Sequence, residues 1–213
     1  MKKRRKTNTR FHKFICFVLN RIVRTVFRVR VIGEENEPAE GGYLMCANHL
    51  SAADPFIITA AASAQICFMA KKELFGIPLI GQAMRALGAF PVDRKTGDVG
   101  AVKHAIQLLK DDKCIGLFPQ GTRRPDVDPR KTPVRNGAAM IAYHADARIL
   151  PIFLHREGHS GKAFRRTTVI IGKPILLSEF CYDPEKKGEY NRIAGEIFDR
   201  VCRLGEEFEA CEK

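Results

Sequence analysis

The chain has 213 residues, 45% of them apolar, which is enough to build one core and too much for a chain that is mainly disordered. Its formal net charge of +12 is unevenly placed: residues 1–30 carry eleven of the 36 Lys and Arg and no acid, leaving 25 bases against 24 acids in the rest. That distribution argues against a nucleic-acid surface spread over the domain and assigns any polyanion or anionic membrane to the N-terminus, while no run of about 18 uncharged apolar residues is present to span a bilayer.

On a helical projection, residues 11–29 place Phe11, Phe14, Ile15, Val18, Ile22, Val26 and Val29 on one stripe, with Lys13, Arg21, Arg24 and Arg28 together on the far side. Aromatic and branched residues opposite basic ones are the pattern of a helix lying in a bilayer interface. The preceding run from Lys2 to Lys6 adds about 1 kcal/mol of attraction per residue near an anionic leaflet. Residues 1–30 are therefore expected to form a basic amphipathic arm that docks on a membrane. Packing of the stripe on the domain and a targeting role stay open as alternatives. A secretory signal does not, because Arg21 and Arg24 interrupt any apolar h-region.

From Val31 onward, short apolar runs alternate with helical patterns, which predicts a single α/β domain with several strands in one mixed sheet. The strands are expected at Tyr43–Ala47, Ile66–Ala70, Ala89–Val92, Cys114–Phe118, Ile149–Leu154 and Thr167–Gly172. Helices are expected at Pro55–Ala62, Pro78–Ala86, Asp98–Lys110 and Gly137–Ala145. Residues Pro119 to Arg135 hold four prolines and many charges, and read as a long functional loop. A last helix is expected to start at Asp183, with Pro184 at its first position, and to run towards Cys211. Its stripe Ile193, Ile197, Val201, Leu204 and Phe208 reads as packing. The division is thus an arm over 1–30, a main domain over 31–182 and a helix over 183–213 packed on that domain.

The seven cysteines form no C-x-x-C pair, are odd in number and sit mostly in apolar segments, so they read as reduced thiols in a cytosolic compartment. Cys and His do not cluster, and no metal site is expected. The chain has no G-x-S-x-G elbow, G-x-G-x-x-G or P-loop, which disfavours a serine esterase and a nucleotide-binding fold. His104, His144, His155 and His159 stand in no motif.

The stretch Asn48-His49-Leu50-Ser51-Ala52-Ala53-Asp54-Pro55 carries more. Asp54 before Pro55 reads as a helix N-cap, leaving His49 in the loop after the first of the strands named above. An Asp folded back onto Nδ1 of such a His fixes the tautomer in which Nε2 is a free base, and the base then acts on a hydroxyl that the substrate supplies. A capping Asp near an incidental His is the plainer reading of that spacing alone. Three further blocks follow in order: Gly88-Ala89-Phe90-Pro91-Val92-Asp93-Arg94, Phe118-Pro119-Gln120-Gly121-Thr122-Arg123 and Leu150-Pro151-Ile152. With these four blocks the sequence, over about residues 31–175, resembles the glycerophospholipid acyltransferase family of the 1-acylglycerol-3-phosphate acyltransferases, whose motifs are N-H-x4-D, G-x4-D-R, F-P-E-G-T-R and a short strand near V-P-I.

The resemblance implies a glycerol-3-phosphate acyltransferase-like fold, with helices flanking one sheet. It implies transfer of an acyl chain from acyl-CoA or acyl carrier protein to the sn-2 hydroxyl of lysophosphatidic acid, giving phosphatidic acid, with no cofactor beyond that co-substrate. His49 is then the general base and Asp54 its orienter. Arg123, Lys71 and Arg94, with Gln120, Gly121 and Thr122, would bind the acceptor. Its partners would be an anionic membrane surface, the lysophospholipid and the donor, and its place the cytoplasmic face of a membrane, peripheral or monotopic. Gln120 departs from the family's glutamate, keeping one acceptor, losing the charge and gaining two donors. Asn136-Gly137 stands where a basic residue commonly precedes the glycine. A related acyltransferase acting on glycerol 3-phosphate or another lysolipid, or an inactive peripheral membrane protein of the same fold, are the alternatives.

Overall fold

The run Tyr-Leu-Met-Cys-Ala at 43–47 has no polar face to offer water, and each of its residues is buried at the centre of the molecule. It is β2 of seven strands among the described residues: β1 (Arg30–Ile32), β2 (Tyr43–Ala47), β3 (Ile66–Lys71), β4 (Phe90–Val92), β5 (Cys114–Leu117), β6 (Arg148–His155) and β7 (Thr168–Ile171). They form one sheet in the order β1-β7-β6-β2-β5-β3-β4. Every neighbouring pair is parallel except β6 and β7, which makes the sheet mixed as expected. The computed structural model describes residues 21–93, 98–162, 165–183 and 186–212.

Among the described residues, five helices of seven residues or more flank the sheet: α1 (Asp54–Ala61), α2 (Ile80–Ala86), α3 (Val99–Lys110), α4 (Gly137–Ala145) and α5 (Glu189–Cys211). On one face Ala105 and Leu109 of α3, Ala138 and Ile141 of α4, and Ile193, Ile197 and Val201 of α5 share a core with Leu44, Ile115 and Phe153. Leu204 and Phe208 pack against it, so the stripe of the last helix is packing surface. On the other face Ile57, Ile58 and Ala61 of α1 bury Met45, Phe68 and Leu150.

The strands and the four middle helices lie within two residues of their predicted ends, and three differences stand out. β1 falls inside the stretch read as basic helix: residues 21–26 are helical, Arg28 turns at φ 45°, and Arg30 pairs with Thr168 of β7. Val23, Phe27 and Val29 pack on the α1 side of the core and the Arg24 Nε donates to the Ala60 carbonyl at 2.7 Å, whereas Ile22 and Val26 of the predicted stripe are exposed. Residues 1–20, with the rest of the predicted arm, lie outside the described residues. The last helix begins at Glu189 instead of Asp183, because Gly188 at φ 87° sets its start and Glu189 is taken up by Arg192 one turn on. The long loop after β5 is tied down by Arg130, whose guanidinium bridges Asp199 and Glu206 on α5.

Parallel pairing brings the carboxyl ends of β2, β3, β5 and β6 to one edge of the sheet. The loops that follow β2 and β5, with Asn48 to Asp54 on one and Pro119 to Arg123 on the other, leave from that edge.

Candidate active site

β2 ends at Ala47, and Asn48 closes it by gripping β6: its amide donates to the Leu154 carbonyl at 3.1 Å and accepts from the Leu154 N–H at 2.7 Å. His49 follows. Its ring stacks on Phe118, at the end of β5, with centroids 3.9 Å apart and planes 13° from parallel. One ring face is thereby fixed against apolar surface, and the residue is 8% exposed.

Asp54 is fully buried. Its carboxylate does not cap α1, which starts at Asp54 with Ala53 before it and no side-chain cap. It turns back on its own loop instead, and this replaces the expected capping role. Oδ2 accepts from His49 Nδ1 at 2.9 Å and from the N–H groups of Leu50 at 2.6 Å and Ser51 at 2.7 Å. Oδ1 accepts from Ser51 Oγ at 2.8 Å and from Arg156 Nη2 at 2.9 Å. Burial alone would raise the Asp54 carboxyl, but the His49 hydrogen bond, the Arg156 guanidinium and the Ser51 amide outweigh it and hold it below the usual carboxylate range. An ionised carboxylate only accepts, so Nδ1 of His49 carries the proton, and in the neutral imidazole that tautomer leaves Nε2 as the acceptor.

The same network shows what is not a nucleophile. Ser51 Oγ donates to Asp54 and accepts from the Ala53 N–H and from Arg156, so its hydroxyl is spent on the loop. A hydroxyl for Nε2 to act on would have to come from elsewhere.

Gln120 lies beneath His49 and is 2% exposed. Its Oε1 accepts the His49 N–H at 2.6 Å, and its Nε2 donates to Thr132 Oγ1 at 2.8 Å, which in turn donates to the Pro129 carbonyl at 2.6 Å. The amide is thus committed to the backbone of the histidine and to the long loop. Gly121 follows at φ 70°, where a side chain is strained, and a Cβ there would also press on Arg135 at 3.1 Å. The turn it allows leaves Thr122 and Arg123 exposed. Arg124 joins them: its N–H donates to the His49 carbonyl at 2.8 Å, while its Nε is buried without a partner. Lys71 ends β3 at the same edge, half exposed and 3.3 Å from Glu73. Arg94 lies outside the described residues.

Sequence reasoning missed Arg156, Thr132 and Arg124. Arg156 is 1% exposed and ties four groups together: besides Asp54 and Ser51 it reaches Thr167 Oγ1 at 2.8 Å and the Ser160 carbonyl at 3.5 Å. An arginine directly after the apolar run of β6 was the only signal for it.

Taken as chemistry, the site is a buried, oriented imidazole with a free Nε2, facing a turn of exposed backbone, hydroxyl and guanidinium groups suited to an anion. Among the described residues no helix is long and apolar enough to cross a membrane. The chain is 32% identical over 181 residues to the 1-acyl-sn-glycerol-3-phosphate acyltransferase of Bacillus subtilis (strain 168), covering 83% of this chain and 88% of that protein. With the enzyme of the same name from Streptococcus pneumoniae (strain ATCC BAA-255 / R6) it shares 38% over 169 residues, 78% of this chain and 61% of the other. Its fold matches the crystal structure of the 1-acyl-sn-glycerophosphate (LPA) acyltransferase from Thermotoga maritima with a TM-score of 0.73 and 25% identity, over 96% of this chain and 84% of that one. The acyltransferase family model covers residues 28–155, from the turn before β1 through the last residue of β6, and with these relatives it establishes that the chain belongs to the acyltransferase family.

Proposed function

We propose that the protein is a 1-acyl-sn-glycerol-3-phosphate acyltransferase that moves an acyl chain from a thioester, acyl-CoA or acyl carrier protein, to the sn-2 hydroxyl of lysophosphatidic acid. The observation that carries this reading is the His49–Asp54 pair at 2.9 Å, made through Nδ1, with the neighbouring serine hydroxyl already engaged. His49 Nε2 takes the proton of the acceptor hydroxyl as its oxygen attacks the thioester carbonyl. The tetrahedral intermediate then collapses, its C–S bond breaks, and the leaving thiolate takes the proton back from the imidazolium. The products are the ester and a free thiol, with His49 neutral again. Asp54 steadies the imidazolium between the two transfers and never leaves its hydrogen bonds.

The acceptor's phosphate sits within a few bonds of the reacting hydroxyl, so its cations must be near His49. The candidates are Arg123, on the turn that Gly121 makes possible, and Lys71, with Thr122 adding a hydroxyl and Arg124 a guanidinium with an unpartnered Nε. Arg94 completes the set that the sequence blocks suggest. Gln120 serves by holding the His49 backbone.

Such an acceptor lives in a bilayer. Ile22 and Val26 at the end of the basic arm are exposed, and Leu74, Ile77, Leu79 and Ile80 form a second exposed apolar ridge just beyond the carboxyl end of β3. Both support docking of the catalytic edge on the cytoplasmic face of a membrane, peripherally, with the arm's Lys and Arg on anionic headgroups. The test is transfer of labelled acyl groups from acyl-CoA and from acyl carrier protein to lysophosphatidic acid in mixed micelles, for the wild type and His49→Ala. Product from the wild type, reduced by about 10² to 10⁴ in a folded variant, is expected; no product from the wild type with either donor would overturn the reading.

A further inference from the structure

Arg156 takes no part in the proton transfers above, although every nitrogen of its guanidinium is engaged. It follows β6 directly and is 1% exposed. Its Nε donates to Thr167 Oγ1 at 2.8 Å, its Nη1 to Ser51 Oγ at 3.2 Å and to the Ser160 carbonyl at 3.5 Å, and its Nη2 to Asp54 Oδ1 at 2.9 Å. Three of these four partners are neutral, and among the described residues Asp54 is the carboxylate with which it pairs. A guanidinium keeps its proton throughout the range in which proteins fold, so the site holds a fixed positive charge that water does not screen.

We propose that Arg156 is a positioning residue for the base: through Asp54 it fixes the imidazole of His49 and offsets the carboxylate charge behind it, so that the enzyme stays active further into the acid range than a His–Asp pair alone would allow. The inference rests on the acyltransferase reading above. Its first support is the division of one carboxylate. Oδ2 serves His49 Nδ1 and the Leu50 and Ser51 amides, while Oδ1 serves Arg156 and the Ser51 hydroxyl. When Nε2 takes the acceptor's proton, imidazolium and guanidinium stand on opposite oxygens of the same group. Asp54 favours that imidazolium, Arg156 opposes it, and together they are neutral.

The second support is where the other charges lie. The turn after β5 brings Arg124, whose N–H is bonded to the His49 carbonyl, and the exposed Arg123; β5 itself offers the neutral Phe118 and Gln120. Lys71, at the end of β3, has Glu73 as its counter-ion. A phosphate bound by the rim cations offsets their charge and adds one more anion near His49. Arg156 is the counterweight to Asp54 whether or not acceptor is bound. The third support is rigidity. Ser51, Ser160 and Thr167 hold the guanidinium from three separate stretches of chain, so it cannot follow the rim or the substrate.

The experiment compares the wild type with Arg156→Met, Arg156→Gln, Arg156→Lys and Thr167→Val, all as full chains with thermal unfolding recorded. The main reading is kcat/KM for transfer from palmitoyl-CoA to lysophosphatidic acid from about pH 5 to pH 9, whose acid limb reports the essential base of the free enzyme. In Arg156→Met and Arg156→Gln, either of which suffices, the limb is expected to move up by about one pH unit, because an uncompensated Asp54 then stabilises the imidazolium. Arg156→Lys restores the charge without the fork and is expected to bring the limb back. Thr167→Val removes one tether and no charge, so it is expected to lower thermal stability and leave the limb in place. A limb that stays put in both uncharged variants overturns the proposal, as does one that moves equally in Thr167→Val. If no acyl transfer is found with any donor, the acyltransferase reading fails separately. The protonation of the His49 ring, followed by NMR in wild type and Arg156→Gln with the signal assigned through His49→Ala, then decides the role of Arg156 by the same expected shift.

Discussion

Arg156→Met removes the guanidinium that faces Asp54 while filling much of its volume. The structure fixes the size of the effect. The 2.9 Å pair lies between groups that are 1% and 0% exposed, and breaking a buried pair by deleting one partner typically costs about 3–5 kcal/mol, because the other charge stays buried. Here Asp54 keeps the Leu50 and Ser51 amides and the Ser51 hydroxyl, so the lower end, about 3 kcal/mol, is expected. The loss must also depend on pH. Asp54 is held below its unfolded value, so its contribution to stability is fully present above about pH 4 and disappears as pH falls through the folded value. The gap between wild type and variant is therefore widest at neutral pH and narrows as pH falls towards the lowered folded value of Asp54, where the carboxyl of the wild type becomes protonated and no longer attracts Arg156. Urea unfolding at pH 7, 5 and 3.5 measures it. A gap under about 1 kcal/mol at pH 7, or one that is the same at every pH, would refute the claim that Arg156 acts through the charge of Asp54.

Gln120→Glu keeps the acceptor for the His49 N–H but, to face Thr132, must draw its hydroxyl proton away from the Pro129 carbonyl. Activity is expected within a few-fold of wild type and stability about 1 kcal/mol lower by urea unfolding, with severe loss of turnover marking a site built around a neutral amide. Deletion of residues 1–20 should release the protein from anionic vesicles and leave the domain folded, checked by co-sedimentation and circular dichroism; continued sedimentation with vesicles would sink the docking reading. The cut stops at residue 20 because Val23, Phe27 and Val29 belong to the core and Arg30 opens β1.

What could be read from the sequence, and what could not, follows from how far apart the partners lie. His49 and Asp54 are five residues apart in one loop, so a carboxylate folding back onto an imidazole is a local event that spacing can suggest. The second lone-pair side of the same carboxylate is filled by Arg156, 102 residues later, and no spacing rule connects them. β2, with a purely apolar run, announced itself, whereas β1 is three residues on a sheet edge inside a stretch of arginines with helical periodicity, and only its pairing with β7 makes it a strand. Gln120 was visible as a departure from a family motif, but its task was not. A substitution of amide for carboxylate looks like a loss of charge at a binding site until both ends of the amide are seen. One end holds the backbone of the base and the other the loop that Arg130 anchors to α5. The residue then stands between the catalytic loop and the rest of the fold, where what matters is a donor on one side and an acceptor on the other, and glutamine supplies both without burying a charge.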